Sequence, residues 1–260
     1  SQFYCYRTNG ILTADDFEKK ADGTPDENKP LVPVYKGQRI GNVKMVDQPT
    51  KMVDGKLVGD GVITEDDLVP YGNNIPDVIY GITNRFSYKN FELSVLIQGQ
   101  IGGDVMFLGQ RSLDYGSPGV NQFSHWVRCW KPDYQAVYGD RGDPTPYYLG
   151  VDMSWDGTTP NIYNRNSTYE NNSDLRIYDT TYLRIKNITL SYTLPNDLLK
   201  KSFLKKAKVY VSLDNVATFD NYPGVSPETN SYGNSTTRAG VDYSTYPMSR
   251  KYTLGVNLVF

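Results

Sequence analysis

Six stretches of this chain alternate apolar and polar residues with a period of two, and the connections between them are by turns long and short. Strict alternation is the mark of a half-buried strand, and helical periodicity is nearly absent. The first stretch is Ser1 to about Arg7 (SQFYCYR). The second runs from about Val78 to Tyr88, with Tyr80, Ile82 and Phe86 on one face and Asn84 among them. Lys89-Asn90 makes a tight turn into the third, Phe91 to about Phe107. There Phe91, Leu93, Val95 and Ile97 oppose Glu92, Ser94 and Gln98. The fourth is Tyr182 to Leu194, the fifth about Ala207 to Phe219, and the sixth Met248 to Phe260.

The connections constrain the fold more than the strands do. Between the second and third strands there are two residues, and between the fourth and fifth a compact connector, Pro195 to Lys206. The other three connections are very long: Thr8 to Asp77, Leu108 to Thr181, and Asp220 to Pro247. Structureless loops of that length argue against a compact soluble domain. A meander with short turns on one side and long loops on the other is the plan of an outer-membrane barrel. If the last strand ends in the periplasm, both short connectors fall on that side and every long loop lies outside. About eight strands is the smallest barrel, so six would form part of one. The apolar faces would then meet lipid. The other faces, with Asn84, Glu92, Gln98, Asp214 and Asn257, would line a polar lumen. Tyr88, Phe91, Tyr192, Phe219, Tyr252 and Phe260 at strand ends would sit in interfacial belts.

Composition is consistent with this reading and excludes several others. The 260 residues carry a net charge of −2, so no basic field favours nucleic acid. No stretch reaches the roughly 18 to 20 apolar residues of a spanning helix, which does not bear on a barrel. The aromatic set is dominated by 22 Tyr, against 9 Phe and 3 Trp, and tyrosine suits surfaces with one apolar and one wet side. Cys5 and Cys129 are too few and too far apart for a disulfide framework or a metal site. The chain starts on Ser1 without a signal sequence and reads as a mature start or a piece of a longer chain.

Several ordered segments resemble the SusC-like TonB-dependent outer-membrane transporters of Bacteroidetes. They are RTNGILTADDF (Arg7 to Phe17), GDGVITEDDLVPYGNNIPDVIYG (Gly59 to Gly81), YLRIKNITLSYTLP (Tyr182 to Pro195), VYVSLDNVATFDNYPGVSPE (Val209 to Glu228) and GVDYSTYPMSRKYTLGVNLVF (Gly240 to Phe260). The resemblance implies an all-β fold, a 22-stranded transmembrane barrel of which this chain supplies the last six antiparallel strands. The plug domain and the segment that meets TonB would lie on residues absent here. It implies active import of a large nutrient, an oligosaccharide or peptide, together with a SusD-like surface lipoprotein, and no enzymatic activity. It places the protein in the outer membrane of a Gram-negative bacterium, with loops extracellular and the C-terminus periplasmic. It also implies that the terminal Phe260 forms part of a barrel-assembly signal.

The family's turn often reads as a calcium loop, in which carboxylates and a carbonyl surround a hard cation. Here Asp60, Gly61, Val62 and Asp67 match its fifth, sixth, seventh and twelfth positions, while Lys56 and Val58 occupy the first and third. Asp47 is the candidate displaced first ligand, separated by an inserted QPTKMVDGKLV. Asp47, Asp60 and Asp67 are therefore the candidate ligands of a structural calcium, and no other cofactor is implied.

A catalytic site is not expected. His125 and Cys129 in FSHWVRCW lack an orienting partner, and Asp15-Asp16 and Asp66-Asp67 are adjacent pairs that diverge rather than flank a bond. LLKKSFLKK (Leu198 to Lys206) is basic, either a solvated turn or a contact to lipid headgroups. Binding chemistry belongs to the long loops, where Trp126, Trp130, Tyr147, Tyr148 and Trp155 are candidates for stacking on sugars or docking the lipoprotein. The rival reading is a soluble secreted β-sandwich that binds glycans through the same aromatics. A simple porin is a third.

Overall fold

In the computed structural model of the chain, the described residues are 2–110, 123–124, 128–130, 155–161, 172–200, 203–228, 230–232 and 239–260. They fall into two units. One joins Gln2–Tyr71 to Phe107–Ile177, and the other joins Gly72–Met106 to Tyr178–Phe260.

The first unit is built from short strands paired two by two. These are β1 (Phe3–Cys5), β2 (Thr8–Ile11), β3 (Phe17–Lys19), β4 (Pro25–Pro30), β5 (Val43–Met45), β6 (Lys51–Val53), β7 (Lys56–Val58) and β8 (Val69–Tyr71). The pairs are β1-β8, β2-β5, β3-β4 and β6-β7. Thus the expected long loop from Thr8 is largely folded. Its strands of three to six residues are too short to display a period. Leu12, Phe17 and Val43 are fully buried, and Tyr6, Met45 and Ile63 form a cluster with Tyr35 and Leu68. Asp174 ties the unit across the sequence. It accepts Arg7 Nε at 2.9 Å and Thr8 Oγ1 at 2.6 Å, while the Arg7 guanidinium lies 4.1 Å from the Tyr71 ring centroid. The stretch expected as a first barrel strand, Ser1 to Arg7, is described here as the three residues of β1. These pair with Val69–Tyr71 and not with the large sheet.

The second unit holds β9 (Val78–Tyr88), β10 (Phe91–Ile101), β11 (Asp104–Phe107) and β12 (Ile177–Asp179) but for their end residues Phe107 and Ile177, and β13 (Tyr182–Thr193), β14 (Lys206–Asp220), β15 (Val241–Asp242) and β16 (Lys251–Val259). Five of them form one antiparallel sheet in the order β16-β14-β13-β10-β9. Neighbours in chain order are neighbours in the sheet, so it is an up-and-down meander. The expected strand from Phe91 to Phe107 ends early, at Ile101. Gly102 and Gly103 follow with φ of 74° and 81°, a left-handed pair that turns the chain and that other residues rarely adopt. Beyond it β11 joins a separate sheet, β12-β11-β15. The short connector Pro195–Lys206 contains one helical turn, α1 (Asn196–Leu199). No helix among the described residues is long and apolar enough to cross a membrane.

Candidate functional site

The register of the five-stranded sheet sorts its residues onto two faces. On one face, Phe86, Leu93, Leu190, Val211 and Leu254 lie in a single row across all five strands. Tyr88, Phe91, Tyr192, Val209 and Val256 form the next row, with the Phe91 and Tyr192 rings 4.6 Å apart. Towards the other end come Val95, Ile188, Leu213 and Tyr252, then Ile82, Ile97 and Ile185. The opposite face carries Glu92, Ser191 and Tyr210 in one row and Arg85, Ser94, Thr189, Ser212 and Thr253 in another.

Much of the apolar face is exposed, most of all on β9 and β16, while Arg184 and Ser191 of the polar face are buried. Phe86 is 60% exposed and Leu254 74%, while Arg184 on the polar face is 1% exposed. Contiguous apolar surface of this extent is not left to water in a soluble monomer. Nine residues at roughly 3.4 Å each make about 30 Å along the strand. With strands tilted roughly 35–45°, that spans about 21–25 Å, the height of a lipid-facing band. Asn84 departs from the sequence expectation. It shares a face with Ile82 and Phe86 and sits opposite Val95, so it belongs to the apolar face and not to the polar one. Glu92, Gln98, Asp214 and Asn257 lie on the polar face.

That polar face is hydrogen-bonded from strand to strand. Asn187 Nδ2 donates to Ser212 Oγ at 2.8 Å and to Asp214 Oδ1 at 2.7 Å, and Lys208 Nζ meets Glu92 Oε2 at 2.8 Å. At the end of β13, Arg184 joins strand to loop. Its Nε donates to Thr218 Oγ1, its guanidinium pairs with Glu228 and contacts Ser226, and it lies 5.0 Å from the Tyr182 ring centroid. The Tyr182 hydroxyl donates to the same Glu228 carboxylate. A buried charge needs such pairing. Sequence reasoning missed Arg184, because in YLRIKNITL it reads only as one more polar position.

The candidate calcium ligands accept hydrogen bonds from backbone amides. The inserted stretch forms the β6-β7 hairpin around Asp54-Gly55 and returns the chain alongside itself. Asp47 then accepts the amides of Asp60 at 3.2 Å and Gly61 at 2.9 Å, bringing Asp47 and Asp60 together despite the insertion. Asp60 accepts the Val62 amide at 2.9 Å. Asp67, fully buried, accepts Gln48 N and Thr64 N, each at 2.7 Å, and so closes the capping box of the helical turn Glu65–Asp67. Among the described residues no group of three His, Cys, Asp or Glu side chains is arranged to hold a metal ion.

Of the loop aromatics, Trp126, Tyr147 and Tyr148 lie outside the described residues, as does His125. Trp130 packs its ring against Gly41, where a side chain would overlap the indole. Trp155 is 38% exposed and its Nε1 donates to Thr159 O at 2.9 Å. The turn beneath it is held by Asp156. Burial opposes the Asp156 charge, but hydrogen bonds from Thr159 and Thr158 outweigh it and pull the carboxyl down to about 2. Cys5 is buried and its thiol is pushed up to about 11, chiefly by that burial and further by Asp174. A thiol so protonated is a poor nucleophile. Phe260 stacks on Phe203, with ring centroids 5.6 Å apart and planes 7° from parallel.

No family model matches the sequence. The TonB-dependent receptor P3 of Formosa agariphila is 32% identical over 209 residues, 78% of this chain and 18% of that protein. The chain belongs to the SusC-like TonB-dependent receptors. SusC of Bacteroides thetaiotaomicron is 24% identical over 84% of the chain and 19% of its own length. Among solved structures, the RagAB peptide transporter aligns with a TM-score of 0.63 at 18% identity, covering 99% of this chain and 23% of that one. A RagAB importer in a closed-closed state gives a TM-score of 0.55 at 19% identity, and both alignments speak for the fold. The chain spans about a fifth of the length of the receptors it matches.

Proposed function

We propose that this chain forms a run of wall strands, lumen lining and outer loops in the barrel of an outer-membrane TonB-dependent importer of a large nutrient. The observation that carries the reading is the two-faced sheet, with a broad apolar face left exposed and a hydrogen-bonded polar face behind it. Lipid removes the cost of the first, and a wet lumen suits the second. Among the described residues the two edge strands, β9 and β16, pair on one side only. Bare edges of that length are a liability in water, and barrel closure abolishes them. In this reading they pair with strands of the remaining barrel, 22 in all, with this chain the C-terminal part. The plug and the TonB contact lie elsewhere in the protein.

The β9-β10 turn and the β13-β14 connector then face the periplasm together with the C-terminus, and the long connections face outwards. A SusD-like lipoprotein is the proposed partner on that outer side. Trp155, partly exposed, is a candidate contact for substrate or partner, and Trp126, Trp130, Tyr147 and Tyr148 belong to the same outer loops. The cargo is an oligosaccharide or a peptide. Substrate captured outside is trapped under the lipoprotein and released inwards when TonB pulls on the plug. The rival soluble sandwich needs a second sheet over Phe86, Leu190 and Leu254, and among the described residues these stay open.

Full-length protein extracted in detergent should migrate faster in gels unheated than boiled, as closed barrels do. A protein that is folded and soluble without detergent, with no such shift, would overturn the reading.

A further inference from the structure

The connector Pro195–Lys206 carries Lys200, Lys201, Lys205 and Lys206 against the single acid Asp197, a local charge of +3 (four minus one) in a chain of net charge −2. It is tied to the end of the sheet. Leu194 N donates to Ala207 O at 2.9 Å and Lys205 N to Val259 O at 2.7 Å. Helix α1 buries Leu199 and leaves Leu198 exposed. Beyond it Phe203, 80% exposed, stacks on the ring of Phe260. Phe260 continues the alternation of Leu254, Val256 and Leu258, so the ring pair extends the apolar face past the last paired residue. Two open phenyl rings in contact are a poor surface for a solvated turn.

The cations follow at once. Lys205 makes no ion pair among the described residues. The described partner of Lys200 is Asp197, at 2.6 Å, an exposed contact of little strength. Apolar wall, then aromatic rings, then cations is the order in which a bilayer presents hydrocarbon, interface and phosphate. Lysine stems lie along the apolar part while their ammonium groups reach the headgroup layer.

We propose that this connector binds the phosphate headgroups of anionic glycerophospholipids in the leaflet next to the short turns, with the Phe203–Phe260 stack as its anchor in the acyl boundary. The proposal rests on the barrel-wall reading. Continuity with the apolar face singles out a lipid rather than a soluble anion, because a free anion has no use for the exposed rings beside the charge.

The test uses the full-length receptor in bilayer discs of phosphatidylcholine with and without phosphatidylglycerol. Lipid retained by the protein is counted by mass spectrometry after detergent exchange. The parent should retain phosphatidylglycerol in preference. Lys206 begins β14 on the polar face, so the variant carries Lys200→Gln and Lys205→Gln; it should lose about fivefold of that preference per lysine at low salt, and less as salt screens the charges. The matching Lys→Arg variant should keep it. No preference in the parent, or an unchanged preference in the Gln variant, overturns the proposal. Disc insertion and heat-shifted migration are read in the same samples. A receptor that inserts and shifts but shows no lipid preference defeats the headgroup site alone, and one that does neither defeats the barrel reading with it.

Discussion

Glu228 closes on the guanidinium of Arg184, a side chain 1% exposed that reaches it from 44 residues earlier in the chain. One carboxylate thereby holds the loop after β14 against the polar face of β13, with Tyr182 and Ser226 on the same centre. Removing one partner of such a pair leaves a buried charge uncompensated, at a cost of about 3–5 kcal/mol when both are fully buried. Glu228 is partly exposed, so Glu228→Gln should cost less, about 1–3 kcal/mol. The loop from Asp220 to Pro247 should become protease-sensitive while the sheet stays intact. Unchanged cleavage in limited proteolysis of the full-length protein would show that the pair does not hold the loop.

Leu254 and Thr253 are neighbours on opposite faces of β16. Leu254→Arg should lower barrel stability by about 2–4 kcal/mol, the cost of a cation near the bilayer midplane. Thr253→Arg, facing the lumen, should cost far less. Urea titration of the receptor folded in bilayers measures both, and equal effects would remove the distinction between faces.

Asp67 is the buried acceptor for two backbone amides. Asp67→Ala should destabilise the first unit by about 1–2 kcal/mol, as loss of a cap does. Because no three acidic side chains converge there among the described residues, chelation of calcium should leave the melting temperature where it was. A clear drop with chelator, reversed by calcium, would instead assign a cation to that turn.

Asp156 has a folded value of about 2, below the ordinary carboxylate value of 3.8. A depressed carboxyl stabilises the fold above its unfolded value, and that contribution is lost as pH falls through the folded one. The turn carrying Trp155 should therefore hold from neutral pH to about 4 and loosen between about 4 and 2. Asp156→Asn should flatten this step. The emission of Trp155, isolated by difference against Trp155→Phe, follows it.

Phe260 ends the apolar alternation of β16 and rests on Phe203. Deleting it should reduce the amount of assembled, heat-shifted receptor in the outer membrane. Undiminished assembly would count against the proposal that Phe260 is part of an assembly signal.

The long strands could be read in advance because they obey one rule for nine residues or more. Val78–Tyr88 has the bounds its alternation suggests, and Tyr182–Thr193 ends one residue short of them. Where the pattern lasts three residues, as in Lys51–Val53 and Lys56–Val58, no period can be seen and the hairpin emerges only from its pairing. Asn84 shows a second limit. Its polarity suggested the lumen, but alternation with Ile82 and Phe86 and pairing with Val95 put it on the apolar face.

The sequence by itself determined the two chemically distinct faces of the strands and the alternation of short and long connections, because both are local properties of spacing. It carried the family resemblance as well, since ordered motifs survive without coordinates. Tertiary structure decided what sequence separation hides. Among the described residues, Phe3–Cys5 pairs with Val69–Tyr71 and not with the large sheet. Asp47 and Asp60 meet across an insertion because that insertion folds back on itself. Arg184 is buried because Glu228, Ser226 and Thr218 come to it from other parts of the chain. Burial and pairing depend on which distant segments share a space, and no local pattern of residues encodes that.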